Sequence, residues 1–262
     1  MSAQFRPGDS YVQSFARGLA VIRSFSADTP RMTLSEVAAR AGLTRAGARR
    51  ILLTLENLGY VTAEEKKFAL TAKILDLGYA YLSTAPFWRP AEPVMEQLVA
   101  DAHESCSISV LDGAEIVYVA RVPTSKIMTV SLGIGSRLPA YATSMGRVLL
   151  GGLNGAQLKC ALAASEIKAY TKFTVTDVKK LTATIEADRQ RGWSYVNQEL
   201  EEGLRSVAVP LKDRSGKIIA AMNICGQANR NSEKIMTGEF LPKLLQAAEK
   251  INAALRMRPL GQ

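Results

Sequence analysis

The chain has 262 residues, 47% of them hydrophobic and 22% charged, with a net charge of +9 and a pI near 9.5. That length suits two domains, and no apolar run approaches the roughly 20 residues of a membrane helix. The excess of base favours a polyanionic partner. The three cysteines (Cys106, Cys160, Cys225) form no C-x-x-C pair and MSAQFRPGDS lacks the apolar centre of a signal peptide, which points to reduced thiols in a cytoplasm.

Residues 1–10 read as a loose arm. Ser14 is placed to cap a first helix with the apolar stripe Phe15, Leu19, Ile22 and Phe25, and Ala27–Arg31, containing Pro30, ends it. Thr33 and Glu36 make the T-x-x-E of a capping box, with Leu34, Val37, Ala38 and Ala41 at helical spacing behind it. Gly42 stands where a C′ glycine turns the chain, and Thr44 can cap a second helix. On that helix Ala48, Ile51, Leu52, Leu55 and Leu58 form the apolar stripe, while Arg45, Arg49 and Arg50 point away from it beside small Ala46. Between Glu36 and Glu56 there are four arginines and no acid. Small residues at a helix start let it sit deep in a groove, and arginines beside them reach base edges or phosphates. Tyr60–Thr62, a turn at Glu64–Lys67 and Phe68–Leu70 predict a two-stranded wing with Lys66 and Lys67 at its tip. The plainer alternative is an amphipathic helix pair with a solvated basic face. Cap, turn glycine, acid-free face and wing agree instead on DNA binding through Thr44, Arg45, Ala46, Arg49, Arg50, Lys66 and Lys67.

Thr71 then caps a linker helix patterned by Ile74, Leu75, Leu77, Gly78 and Tyr81, which stops before Pro86 and Pro90. The expected division is 1–70, 71–85 and 86–262. Beyond it the pattern gives a helix from Pro93 to about His103, then strands Cys106–Leu111, Glu115–Val122 and Ile127–Leu132, with a turn at Asp112-Gly113. Gly133–Gly146 reads as a long loop leading into a helix Arg147–Leu153. Helices Gln157–Ala164 and Asp177–Gln190 follow, the second with Thr174 as its cap. Strands Trp193–Leu200, Arg205–Leu211 and Ile218–Cys225, with turns at Glu202-Gly203 and Ser215-Gly216, precede a last helix Glu233–Arg256. The class is therefore α+β: a winged helix-turn-helix, a linker helix, and a second domain whose largely antiparallel sheet is flanked by helices.

Enzyme chemistry is the alternative from a different class, and the chain offers it little. His103 is the one histidine, and no His/Cys/Asp cluster has metal-ligand spacing. Gly133–Leu138 starts like a dinucleotide loop but lacks the third glycine. Ser144–Arg147 has S-x-x-K spacing with an arginine, which will not act as a base. We expect no catalytic residue, metal or cofactor. A DNA-binding scaffold without a ligand is the other alternative.

The order of elements resembles the IclR family of bacterial transcriptional regulators over nearly the whole chain. FARGLAVIRSF (Phe15–Phe25), LTLENLGYV (Leu53–Val61), GSRLPAYATSMGRVLL (Gly135–Leu150) and EEGLRSVAVPL (Glu201–Leu211) carry the resemblance. YVQSFARGLAVIRSF and LDLGYAYL are similar to the subgroup controlling the protocatechuate/β-ketoadipate and hydroxybenzoate pathways. The resemblance implies a GAF-like second domain binding a small organic acid. It also implies a first domain that binds palindromic double-stranded operator DNA as a homodimer, with dimers often pairing into tetramers, and no membrane partner. Where many relatives have a lysine-serine-threonine run, this chain has Arg45-Ala46-Gly47, so base preferences do not carry over.

In the family the effector lies between the concave sheet and the loop after the third strand, here Pro139–Gly146. Tyr141, Thr143 and Ser144 offer hydroxyls, and the amides of Ser144, Met145 and Gly146 precede a helix, where a carboxylate is favoured. Met128, Val196, Gln198, Ser206, Asn223 and Cys225 match lining positions on the strands, with Arg205 as counter-charge. Core packing is the plainer role for Met128, Val196 and Cys225. The implied effector is an acid of the protocatechuate, β-ketoadipate or 4-hydroxybenzoate class; a non-aromatic acid such as glyoxylate or pyruvate is the alternative.

Overall fold

A computed structural model of the chain describes residues 10–84, 88–124 and 132–257. The chain divides into two compact units, residues 1–84 and 85–262, the linker helix falling in the first.

The first unit begins with α1 (Gln13–Arg23). Its N-cap is Val12, without a side-chain cap, so Ser14 lies inside the first turn instead of capping it. The capping box forms as its residue types dictate: Glu36 accepts the Thr33 amide at 2.7 Å, Thr33 Oγ1 accepts the Glu36 amide at 3.4 Å, and α2 (Leu34–Arg40) starts there. Gly42 makes the turn at φ +66°. Thr44 Oγ1 accepts the Gly47 amide at 3.1 Å and opens α3 (Arg45–Asn57). Val21, Met32, Val37, Leu52, Leu55 and Val61 form the core. Leu58 is outside it: as the C-cap of α3 it is more than half exposed.

The wing has three strands, not two. A short β1 (Met32–Thr33) pairs antiparallel with β3 (Lys67–Leu70), which pairs with β2 (Val61–Glu64). Two residues are too few for a periodic signal. Glu65 and Lys66 fill the two-residue turn, both at positive φ, as a primed hairpin turn requires. Thr71 does not cap the next helix; its hydroxyl donates to Gly59 O at 2.6 Å, and a 3-10 turn (Ala72–Ile74) leads into α4 (Leu75–Thr84). No residue of α4 is buried.

The second unit is a six-stranded antiparallel sheet in the order β6-β5-β4-β9-β8-β7. Its strands are β4 (Ser105–Asp112), β5 (Glu115–Val122), β6 (Arg137–Pro139), β7 (Ser194–Asn197), β8 (Leu204–Lys212) and β9 (Ile218–Gln227). α5 (Trp88–Ala102), which starts before Pro93 and contains it, packs with α10 (Leu241–Met257) on one face. α9 (Glu233–Ile235) enters α10 through a π-helical segment, Met236–Phe240. α6 (Ser144–Gly151), α7 (Gly155–Ala163) and α8 (Val178–Arg191) cover the other face, where Ile116, Tyr118, Met145, Leu149, Leu181, Ile185, Ala208 and Ala221 share one core.

Four expectations meet the structure here. Of the anticipated strand Ile127–Leu132, residues 127–131 lie outside the described residues and Leu132 is not in a strand. β6 lies instead inside the anticipated loop; it is an edge strand of three residues ending in proline, which leaves little pattern. α6 starts at Ser144 because Thr143 is its N-cap, accepting the Gly146 amide at 3.1 Å. Asp177, not Thr174, caps α8, through the Lys180 amide at 2.8 Å; Thr174 Oγ1 donates to Glu199 O.

Candidate effector cavity and nucleic-acid face

On α3, Ala48, Leu52 and Leu55 are buried, which turns Arg45, Ala46, Arg49 and Arg50 to solvent. Among the described residues no carboxylate pairs with these arginines. Thr44 is exposed, its hydroxyl spent on the cap. Lys66 and Lys67 are exposed at the wing tip. Arg31 and Glu64 bridge beside them at 3.0 Å in full view of water, where such pairs contribute little.

In the second unit a cavity opens between the sheet and the start of α6. Counted with its mouth and the solvent open to it, it encloses about 690 Å³. Strand register explains its polar wall. On β4 and β9, Ser107 faces Asn223; on β8, Ser206 lies between Val196 of β7 and Cys225 of β9. Alternation would put Tyr118 and Arg121 of β5 on opposite faces. A bulge prevents this: Ser109 pairs with Tyr118, Ile108 with Ala120 and Ser107 with Arg121, leaving Val119 as the extra residue. Tyr118 and Arg121 therefore both line the cavity.

The polar groups form a connected chain. Asn223 Oδ1 accepts the Ser107 amide at 3.2 Å, which fixes the side-chain amide, and Asn223 Nδ2 donates to Ser206 Oγ at 3.0 Å. Ser206 Oγ and Ser144 Oγ are 2.6 Å apart. Thr143 takes the Gly146 amide, leaving the amides of Ser144 and Met145 without an acceptor among the described residues. Gly146 itself is needed for a close approach: a Cβ there would stand 2.1 Å from Ala140 O.

Charge is placed beside this chain. Among the described residues Arg121 has no ion-pair partner. Arg147, only 2% exposed, sits under the helix start, donating to Tyr141 O at 2.9 Å and Glu199 Oε2 at 2.7 Å. Burial pushes the Cys225 thiol up to about 12, with Arg121 opposing the shift, so it stays protonated at neutral pH and is no nucleophile. Burial also raises the Tyr118 phenol, again against Arg121.

Of the residues expected at this site, Thr143, Ser144, Met145, Val196, Ser206, Asn223 and Cys225 line the cavity. Four do not. Tyr141 is buried with its hydroxyl bound to Lys168 N and O at 2.9 Å each, because the 166–168 segment needs backbone partners. The Gly146 amide is capped. Gln198, half-buried and at φ +59°, accepts the Gly203 amide at 2.9 Å, closing the β7–β8 connection. Arg205 donates to Asn197 Oδ1 and to the carbonyls of Ala228 and Asn231. Met128 lies outside the described residues. Sequence reasoning missed Ser107, Tyr118, Arg121, Glu199 and Glu201. Ser105, Ser107 and Ser109 alternate along one strand and could have signalled a polar face.

Two family profiles match the chain. The IclR helix-turn-helix domain covers residues 14–65, and the bacterial transcriptional regulator IclR C-terminal domain covers residues 79–253. The chain belongs to the IclR family of bacterial transcriptional regulators. Among its IclR-family relatives, the Pca regulon regulatory protein of Pseudomonas putida is 39% identical over 248 residues, spanning 94% of this chain and 85% of that one. A crystal structure of a transcriptional regulator from Rhodococcus sp. RHA1 superimposes with a TM-score of 0.85 at 51% identity, covering 94% of this chain and 98% of that chain. A double mutant of the PobR inducer-binding domain from Acinetobacter, in complex with 3-hydroxybenzoic acid, matches 62% of this chain and 95% of its own at 33% identity, with a TM-score of 0.58.

Proposed function

We propose that this IclR-family regulator controls an operon for aromatic-acid catabolism. Its first unit binds a palindromic operator, and its cavity takes a small carboxylic acid that alters DNA affinity. The observation that carries the effector assignment is Arg121, which has no ion-pair partner among the described residues, on the wall shared with Ser144, whose amide and that of Met145 face no acceptor among those residues. A carboxylate there gains a counter-charge and the positive end of α6. Arg121 thus takes the role expected of Arg205. The relative named for the Pca regulon and the domain bound to 3-hydroxybenzoic acid support an aromatic acid. Calorimetric titration with protocatechuate, 4-hydroxybenzoate, β-ketoadipate and glyoxylate tests the reading; if only glyoxylate binds, the aromatic assignment fails.

DNA contacts follow from the exposed face of α3: Arg45, Arg49 and Arg50 toward the groove, with Thr44 and Ala46 at the helix start and Lys66 and Lys67 near phosphates. Phe15 and Leu19 of α1, with Leu77 and Tyr81 of α4, leave apolar area uncovered on a small unit. This supports a homodimer through the first units that matches a two-fold operator. The linker helix, residues 71–85 by the sequence division, is the covalent route by which the acid reaches the DNA. Binding shifts operator affinity only to the extent that the acid prefers one domain arrangement.

A further inference from the structure

The cavity wall carries two acids as well as Arg121, and they are differently engaged. Glu199, 7% exposed, gives its Oε2 to both Arg147 (2.7 Å) and the Val175 amide (3.0 Å). Arg147 is itself anchored to Tyr141 O. These bonds hold the carboxylate in one orientation. Among the described residues no donor reaches Oε1, and this oxygen is not one of the atoms sealed inside the protein without a partner. Oε1 therefore opens onto the cavity. Glu201 lines the same wall and has no ion-pair partner among the described residues. An ionised carboxylate only accepts hydrogen bonds, so this part of the wall needs a ligand that donates.

We propose that the effector is a monocarboxylate bearing at least one hydroxyl, that Glu199 Oε1 accepts the hydroxyl proton, and that Glu199 and Glu201 together exclude a second carboxylate. The inference rests on the reading of the cavity as the effector site. Charge on the wall carries the exclusion. Among the described residues that line the cavity, Arg121 can match one ligand carboxylate, and Arg147, beneath them, is already matched by Glu199. A second carboxylate would meet like charge at Glu201 in a partly desolvated space and would have no proton to donate to Glu199 Oε1. A hydroxyl in that place gains a charge-assisted bond with no such repulsion. Dicarboxylates of the adipate type are therefore poor ligands, whereas hydroxylated benzoates are good ones.

Calorimetry on the full-length protein tests this with 3-hydroxybenzoate, 4-hydroxybenzoate and protocatechuate against benzoate, the matching methoxybenzoates and adipate. At least one hydroxylated acid should bind about tenfold or more tighter than benzoate and than its own methyl ether, the range expected of a bond to a charged acceptor. Adipate should bind more weakly still. The variant Glu199→Gln sharpens the test. Arg147 and the Val175 amide both donate, so they keep the amide oxygen and turn the NH2 into the cavity, where a donor replaces an acceptor. The preference should invert, with methoxybenzoates gaining on hydroxybenzoates; a structural role alone predicts uniform weakening. Glu201→Gln should admit adipate. If benzoate or adipate matches the best hydroxylated acid in the unmodified protein, the inference falls while the effector assignment stands. If no acid binds, both fall. Should Glu199→Gln fail to fold, the ligand series on the unmodified protein decides alone.

Discussion

Replacing Arg147 with methionine keeps most of the side-chain length and removes the cation of the buried pair. Glu199 Oε2 then retains only the Val175 amide, and the Tyr141 carbonyl loses its Nε donor. Stranding one member of a buried ion pair costs about 3–5 kcal/mol, and an unpaired buried carbonyl adds about 1 kcal/mol more. Both tryptophans, Trp88 and Trp193, belong to the second unit. Their fluorescence during urea unfolding therefore reports on that unit alone. Combining Arg147→Met with Glu199→Leu removes both charges and should recover most of the loss, since apolar replacement of a whole buried pair is often neutral. A single-variant cost below about 1 kcal/mol, or a double variant that costs the sum of its singles, would refute the pair's role as reasoned from its burial.

At the DNA face, Arg49→Ala or Arg50→Ala should cost about 1–3 kcal/mol in operator affinity and relax specificity, whereas Lys67→Ala should weaken all sequences alike and reduce the salt slope by about 1. Two silent arginine variants would mean that another face meets the DNA. Ser144→Ala should weaken the acid by about 1–3 kcal/mol, because Ser206 and the ligand both lose a partner, with operator affinity unchanged when no acid is present. Ser206→Phe should fill the cavity and abolish the response in a protein that still binds its operator; a response like the parent's in both variants places the effector elsewhere. Sedimentation should find a dimer at micromolar concentration and a monomer for the Leu77→Glu, Tyr81→Glu double variant, and a monomeric parent would contradict the assembly.

Local rules exposed the first unit almost completely in the sequence. Thr33, Glu36, Gly42 and Thr44 each act within a few residues of themselves, so caps and turn could be placed without knowing the fold. Two failures there came from residues whose partners are distant: Thr71 finds Gly59 O across the wing, and β1 exists only because β3 lies beside it. Ser14 and Leu58 failed locally, Ser14 inside the first turn of α1 and Leu58 as the C-cap of α3. The cavity was half legible. Ser144, Ser206 and Asn223 were recognisable as polar groups on facing elements, and the structure joins them. Arg121 was hidden by the one-residue bulge at Val119, which reverses the face that alternation assigns. Glu199 was hidden because its role depends on Arg147, 52 positions away in sequence. Arg205 and Gln198 drew attention by their chemistry, yet both serve backbone groups of the turns around them.

An acid bound in the second unit should change how tightly the first unit holds DNA. Fluorescence anisotropy of a labelled operator, titrated with the full-length protein with and without saturating protocatechuate or 4-hydroxybenzoate, measures this coupling directly. Operator affinity should change by about 5-fold or more, in either direction, and the change should disappear in Ser206→Phe. Identical operator affinity with and without an acid that calorimetry shows to be bound would contradict it.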